Sequence, residues 1–403
     1  MSQETHFRIL VAGGSLFAKE SGIHSSCELL TVLLDGSIST SGFASLNTPR
    51  RGATCAVVPN ENGHRIWIIG GCSEEMNSII RHVDSGEYFD LHESYESNGR
   101  VRKEEAGGWH LFPHLLNVGR SCFSTVAFIS ENRTDDFLLA IGGWNGVECL
   151  SNVECVHLKV ADDNVTKDTS PLPQIDASSR GGASHSTATI ITTTDDDDEC
   201  VSTADLISPI KNGCTLVVSD QTGLQHDLLL IGGWDGKRTL NAIFRYIFPS
   251  QLGPSWKAAF ETGARLDRLL PYSVECHASI LHENRVLFII GGFDGVRVLD
   301  SIIRIDLENG SIDLVPTKLA IPRECHCAEI LVPEQSLGDN SEPLLAVIGG
   351  WDGFEALRSV EVFRVIDQSP YLVPINLTHD ALAHARNRAC STLLPNKALT
   401  YLT

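Results

Sequence analysis

The sequence predicts an all-β protein, a six-bladed β-propeller of four-stranded antiparallel blades. Three observations predict it: an apolar run ending in two glycines that recurs six times, a strand-like run that follows most copies at a fixed distance, and an unpaired part-blade at each end of the chain. A repeat made of short strands reads as a radial array, because one such unit cannot bury both of its faces alone.

The diglycine copies come first. Leu138 to Ile141 leads into Gly142-Gly143-Trp144-Asn145-Gly146, and Leu228 to Ile231 into Gly232-Gly233-Trp234-Asp235-Gly236. Leu287 to Ile290 leads into Gly291-Gly292-Phe293-Asp294-Gly295, and Leu344 to Ile348 into Gly349-Gly350-Trp351-Asp352-Gly353. Weaker copies are Arg8 to Val11 before Gly13-Gly14 and Arg65 to Ile69 before Gly70-Gly71. From Gly13 to Gly349 the first glycines are spaced 57, 72, 90, 59 and 58 residues apart, so two repeats carry insertions. Glycine pairs fit strand ends where backbone passes close to backbone, and Asp-Gly or Asn-Gly forms a turn.

Next come the strands on either side. Seven residues after the second glycine stand Leu150, Leu240, Leu299 and Leu357, each opening a run with β-branched residues. Met76 to His82 reads as the same element after a shorter turn, and His24 to Leu30 as its weakest form. Upstream of the diglycines lies an Arg followed by small and apolar residues: Arg51 to Val58, Arg120 to Ala127 and Arg323 to Ile330, with Tyr272 in the Arg place of the fifth repeat. The fourth inner strand could be Arg180 to Ile191 or Lys211 to Ser219; the first is preferred because Pro171-Leu172-Pro173 leads into Arg180. Arg388 to Leu394 is an inner strand with no diglycine after it, whereas the N-terminus begins on a diglycine strand. The last strand is therefore expected to complete the first blade and close the ring.

The whole chain, residues 1–403, is expected to be one propeller. Polar loop insertions are expected at about 85–116 and 192–226, the second holding the acidic run Asp195 to Glu199.

This order of Arg, apolar strand, Gly-Gly-aromatic-Asp-Gly and Leu-x-Ser-x-Glu resembles the Kelch repeat, over essentially the whole chain. The resemblance implies one blade per repeat. It departs from the usual pattern in lacking most of the Trp residues that close the fourth strand, with Trp109 and Trp256 as the candidates. In Kelch propellers of ubiquitin-ligase adaptors the binding face uses the residue after the diglycine and the residues that open the innermost strand. Carried over, the resemblance implies a face of Trp144, Trp234, Phe293 and Trp351, with Arg51, Arg120, Ser121, Arg180, Tyr272, Ser273 and Arg323. Aromatics and Arg are the residues that make interface hot spots.

The implied function is a protein-interaction module or scaffold that binds a peptide or protein loop, acidic or phosphorylated, on that face. The alternative is an enzyme or small-molecule site in the same mouth. No BTB, BACK or F-box segment is expected, since the repeats begin at the N-terminus, so a ubiquitin-ligase component would act in trans. The net charge of −20 disfavours nucleic acid and anionic membranes as partners, and no apolar run approaches the roughly 18–20 residues of a membrane span. Twelve Cys, several inside apolar runs, are expected to be reduced core residues in a cytoplasmic or nuclear protein. Cys276-His277 and Cys325-His326-Cys327 place neighbours on opposite strand faces; Cys325 and Cys327 share a face but have no second pair to complete a metal set. No cofactor, metal or catalytic residue is expected.

Overall fold

The computed structural model describes residues 6–17, 22–60, 63–75, 79–92, 107–128, 137–157, 202–219, 226–248, 256–333 and 341–395. They form six four-stranded antiparallel sheets arranged as a propeller. Blade 1 contains β1 (His6–Ala12), β2 (Cys27–Leu33) and β3 (Ile38–Phe43). Blade 2 begins with β4 (Thr54–Asn60) and β5 (Gly63–Ile69). A separate ribbon, β6 (Cys72–Glu75) and β7 (Ile79–His82), follows, and β8 (Gly86–His92) and β9 (His110–Phe112) complete the blade. Blade 3 is β10 (Ser124–Phe128), β11 (Phe137–Ile141), β12 (Asn152–His157) and β13 (Ser202–Asp205). Blade 4 is β14 (Cys214–Ser219), β15 (His226–Ile231), β16 (Ala242–Ile247) and, after the short helix α1 (Trp256–Glu261), β17 (Arg265–Leu269). Blade 5 is β18 (Ala278–His282), β19 (Val286–Ile290), β20 (Ile302–Asp306) and β21 (Ile312–Leu314). Blade 6 is β22 (Cys327–Leu331), β23 (Leu344–Ile348), β24 (Val360–Val365) and β25 (Leu372–Thr378).

The last strand, β26 (Cys390–Leu393), pairs antiparallel with β1, with Ile9 opposite Leu393 and Ala12 opposite Cys390. The ring is therefore closed by the two ends of the chain, as the two incomplete repeats imply.

The second strand of each blade ends in at least four consecutive buried apolar residues, because both of its faces are covered there. Alternate residues of β15 go to different seams: Leu228 and Leu230 pack with Leu139 and Ile141 of blade 3, whereas Leu229 and Ile231 pack with Leu287 and Ile289 of blade 5. The same division recurs around the ring, giving one apolar cluster per seam. The glycine pairs end these strands where blades meet. At Gly70 (φ +60°) a Cβ would lie 2.8 Å from the Arg120 carbonyl oxygen, and at Gly71 (φ +93°) 2.9 Å from that of Arg51. Neither position admits a side chain.

Four expectations are corrected. The inner strand of blade 4 is Cys214–Ser219 and not 180–191, and Arg180 lies outside the described residues. The expected strand at 76–82, of which 79–82 are described, is not part of the blade: β7 pairs with β6, and β8 takes the third place in blade 2. The stretch at 192–226 holds strands of two blades, β13 and β14, and that at 85–116 holds β8 and β9; the acidic run 195–199 lies outside the described residues. Of the two Trp candidates, Trp109 immediately precedes β9 and donates its indole N–H to the Ala44 carbonyl at 2.7 Å. Trp256 instead opens α1 and is buried in the cluster between blades 3 and 4.

Candidate functional site

Three successive residues before each inner strand build the mouth of the propeller. The first caps the preceding blade: its carbonyl accepts the N–H of that blade's second glycine, as in Gly71 to Arg120 (2.7 Å) and Gly292 to Arg323 (2.8 Å). This residue is Arg50, Arg120, Ile210, Val274, Arg323 or Arg386 around the ring. The four arginines are fully buried. Each sends its guanidinium to a carboxylate in its own blade: Arg50 to Glu87 (3.1 Å), Arg120 to Glu154, Arg323 to Glu361 (2.6 Å) and Arg386 to Glu28 (2.6 Å). The same carboxylates accept loop N–H groups, for example Ala320 and Ile321 on Glu361 at 2.8 and 3.2 Å. Burial lowers the Arg120 and Arg323 pKa values while their carboxylates oppose that shift. Arg120 and Arg323 are thus withdrawn from the ligand face on which the sequence reading placed them.

The second residue forms a bridge with the residue after the diglycine. These pairs are Arg51 with Cys72, Ser121 with Trp144, Lys211 with Trp234, Glu275 with Phe293, Glu324 with Trp351, and Asn387 with Ser15. The expected aromatics Trp144, Trp234, Phe293 and Trp351 therefore do share one face, half-buried, together with Arg51 and Ser121. Tyr272 and Ser273 precede the capping position of blade 5; the Tyr272 hydroxyl meets Ser301 Oγ at 2.7 Å. The carboxylates of the turns are occupied locally. Asp235 Oδ1 accepts Lys237 and Arg238 N–H at 2.8 Å, and Asp294 and Asp352 repeat the pattern.

The third residue surrounds the axis. Gly52, Cys122, Asn212, Cys276, Cys325 and Arg388 are joined by a closed circuit of main-chain hydrogen bonds. Each N–H donates to the carbonyl of the preceding member, over 2.7–3.0 Å, and Gly52 donates to Arg388. All six have positive φ, from 53° to 62°.

Two features were missed by sequence reasoning. The Lys211 ammonium lies 4.2 Å from the Trp144 ring centroid and 4.6 Å from that of Trp234, so it is clasped between two faces that attract cations. It borders a cavity of about 160 Å³ that Arg51, Ser121, Cys122, Trp144, Asn212 and Arg388 also line. Lys211-Asn212-Gly213 could have been found as the counterpart of Arg51-Gly52-Ala53, had the inner strand been placed at Cys214. Arg388 is the other: its guanidinium spans the mouth to Asn212 Oδ1 at 3.0 Å. Across the axis the charge reverses. Glu275 accepts Asn212 Nδ2 at 2.7 Å and Thr239 Oγ1 at 2.8 Å, and burial raises the pKa of Glu324. Outside the aromatics, the turn tips Val147, Val296 and Phe354 are 84–89% exposed.

Deeper along the channel wall, Glu329 on β22 accepts a hydrogen bond from Ser391 Oγ of β26 at 2.6 Å. Burial pushes its carboxyl up to about 7. An acid with a raised folded pKa adds its stability below the unfolded value, near 4.5, and loses it as pH rises through 7. Glu329→Gln should therefore melt above the parent at pH 8 and together with it at pH 5. Coincident melting curves at both pH values would show that this carboxyl is solvated.

Compared with known proteins, the sequence matches no family model and no curated protein. Among the described residues, no helix is long and apolar enough to cross a membrane.

Proposed function

We propose that this chain is a Kelch-type interaction module whose mouth receives an acidic or phosphorylated loop of a protein partner. One observation carries the reading: Lys211, held between Trp144 and Trp234, stands with Arg51 and Arg388 around a cavity of about 160 Å³. Three cations converge there in a chain of net charge −20. A phosphate or carboxylate would meet charge-assisted donors already positioned, and Ser121 and Asn212 add polar lining. The exposed apolar tips Val147, Val296 and Phe354 would frame the flanking residues of such a loop. Propellers commonly serve protein interactions, and the Kelch assignment rests on the repeat pattern itself. We place the protein in the cytoplasm or nucleus, where the buried thiols of Cys155 and Cys327 would stay reduced. A ubiquitin-ligase component in trans is a partner consistent with this reading.

The test is a binding screen of the full chain against a peptide library in phosphorylated, glutamate-substituted and unmodified forms. Phosphorylated or acidic members should be selected, with affinity falling as salt rises. Trp234→Ala should weaken the best ligand by about 2 kcal/mol, roughly thirty-fold, and Lys211→Glu should abolish the preference for negative charge. Unchanged affinity in Trp234→Ala and Trp351→Ala, both confirmed folded, would place the functional surface elsewhere.

A further inference from the structure

Three of the six residues in the main-chain circuit carry thiols: Cys122, Cys276 and Cys325. Cys276 and Cys325 sit on adjacent blades, and the Cys325 N–H donates to the Cys276 carbonyl at 2.7 Å. With standard backbone dimensions, Cα atoms joined through such a bond lie no more than about 6.6 Å apart. That falls within the roughly 4.4–6.8 Å that a disulfide spans. The two Sγ atoms and a carboxylate oxygen of Glu324 lie within 4.8 Å of one another. Cys276 and Cys325 are both free thiols.

Such a trio could hold a soft cation or undergo thiol chemistry, and Arg388 decides between them. Its guanidinium lies 2.8 Å from Cys122 Sγ and 3.7 Å from Cys276 Sγ. Arginine keeps its charge in proteins. A fixed positive group at that distance opposes a metal cation and favours thiolate, the reactive form of cysteine. The Cys276 side chain also hydrogen-bonds to Cys325, which together with burial keeps the proton on Cys276. Cys325 is the less buried of the two and is therefore the sulfur that a peroxide reaches first.

We infer that Cys276 and Cys325 form an oxidation site that a hydroperoxide converts to a disulfide, stapling blade 5 to blade 6 across the mouth. In the first step the Cys325 thiolate attacks the terminal peroxide oxygen. The O–O bond breaks, and the leaving alkoxide, or hydroxide from hydrogen peroxide, takes up a proton. Cys325 is now a sulfenic acid. In the second step the Cys276 sulfur attacks that sulfur, the S–O bond breaks, and the departing hydroxide takes the Cys276 proton to leave as water. In sum, two thiols and one hydroperoxide give one disulfide, one alcohol and one water; the two sulfurs together lose two electrons and the peroxide gains them. Cys122 stays outside the bridge, because Asn212 separates it from Cys276 in the circuit and Arg388 occupies its sulfur. The bridge is independent of which ligand the mouth receives.

The experiment exposes the reduced full chain to hydrogen peroxide, alkylates it in denaturant and maps its peptides by mass spectrometry. The expected result is a dominant Cys276–Cys325 link with loss of two alkylatable thiols, reversed by dithiothreitol. Cys122→Ser should keep the link. Cys276→Ser should lose it and leave Cys325 trapped by dimedone as a sulfenic acid, and Cys325→Ser should lose both. Absence of the link at peroxide levels that leave the circular dichroism unchanged would overturn the proposal. So would a stoichiometric zinc or cadmium ion that the parent retains and that shields both thiols, since the trio would then be a metal centre.

Discussion

Arg120→Met should destabilise the propeller by about 3–5 kcal/mol, and adding Glu154→Phe should restore most of that loss. The single change leaves a fully buried carboxylate without its cation, and breaking one side of a buried pair carries a cost of this size. Replacing both partners with packed apolar residues is often neutral or better. This chain already contains that replacement. Where blades 2, 3, 6 and 1 have Arg with Glu, blade 4 has Ile210 with Phe244, which belong to one apolar cluster. Blade 5 has Val274 with Ile303, again in one cluster. The register supports the equivalence: Glu154 stands opposite Ala140 and Phe244 opposite Leu230, each two residues before its diglycine. Urea denaturation of the parent, the single and the double variant measures the difference. A double variant no more stable than the single would mean that the pair supplies something that apolar packing cannot.

Ending the chain after Asn387 should destabilise the whole ring by more than about 5 kcal/mol, beyond the range of nearly all single substitutions. The truncation removes β26, which pairs with β1 from Ile9 to Ala12. It exposes the edge of β1 and opens the seam that Leu393 helps to fill. It also takes away Arg388, whose main chain closes the circuit from Cys325 to Gly52. An unpaired edge invites aggregation as well as unfolding. Thermal melting and hydrogen exchange at β1 are the measurements. A truncated protein that melts like the parent, with β1 still protected, would refute closure by the two chain ends.

The repeated architecture was legible because backbone geometry demanded it. The first glycine of each pair marks a place where a Cβ would strike the next blade's capping carbonyl, and the second a place where it would strike a carbonyl of its own blade, so those positions could not drift. The closing strand was legible as two incomplete repeats. The one-residue distinction between Arg50 and Arg51 was not: adjacent arginines look alike in sequence, yet one is spent in an ion pair at the seam and its neighbour lines the mouth. Blade 4 was misplaced because Ile210 has exchanged the ionic cap for an apolar one, which erased the Arg that marks the inner strand. The helix α1 spans six residues, too few to show a helical period. At the candidate site, the aromatics after the diglycines were readable from the motif. The clasp on Lys211 and the reach of Arg388 depend on which strands become neighbours, and that follows only once the ring is assembled.

The circuit at the axis has a consequence for how this surface can change. Its six links run entirely through main-chain amides and carbonyls, so no particular side chain is needed to keep the hub intact. One condition is set on the occupants, a left-handed backbone, which disfavours branching at Cβ. Glycine, asparagine, three cysteines and an arginine all satisfy it here. The side chains at the most central positions of the mouth are therefore not what holds the hub together. A descendant or a designer could recast the charge, size or reactivity of this hub one residue at a time while the scaffold around it stays the same.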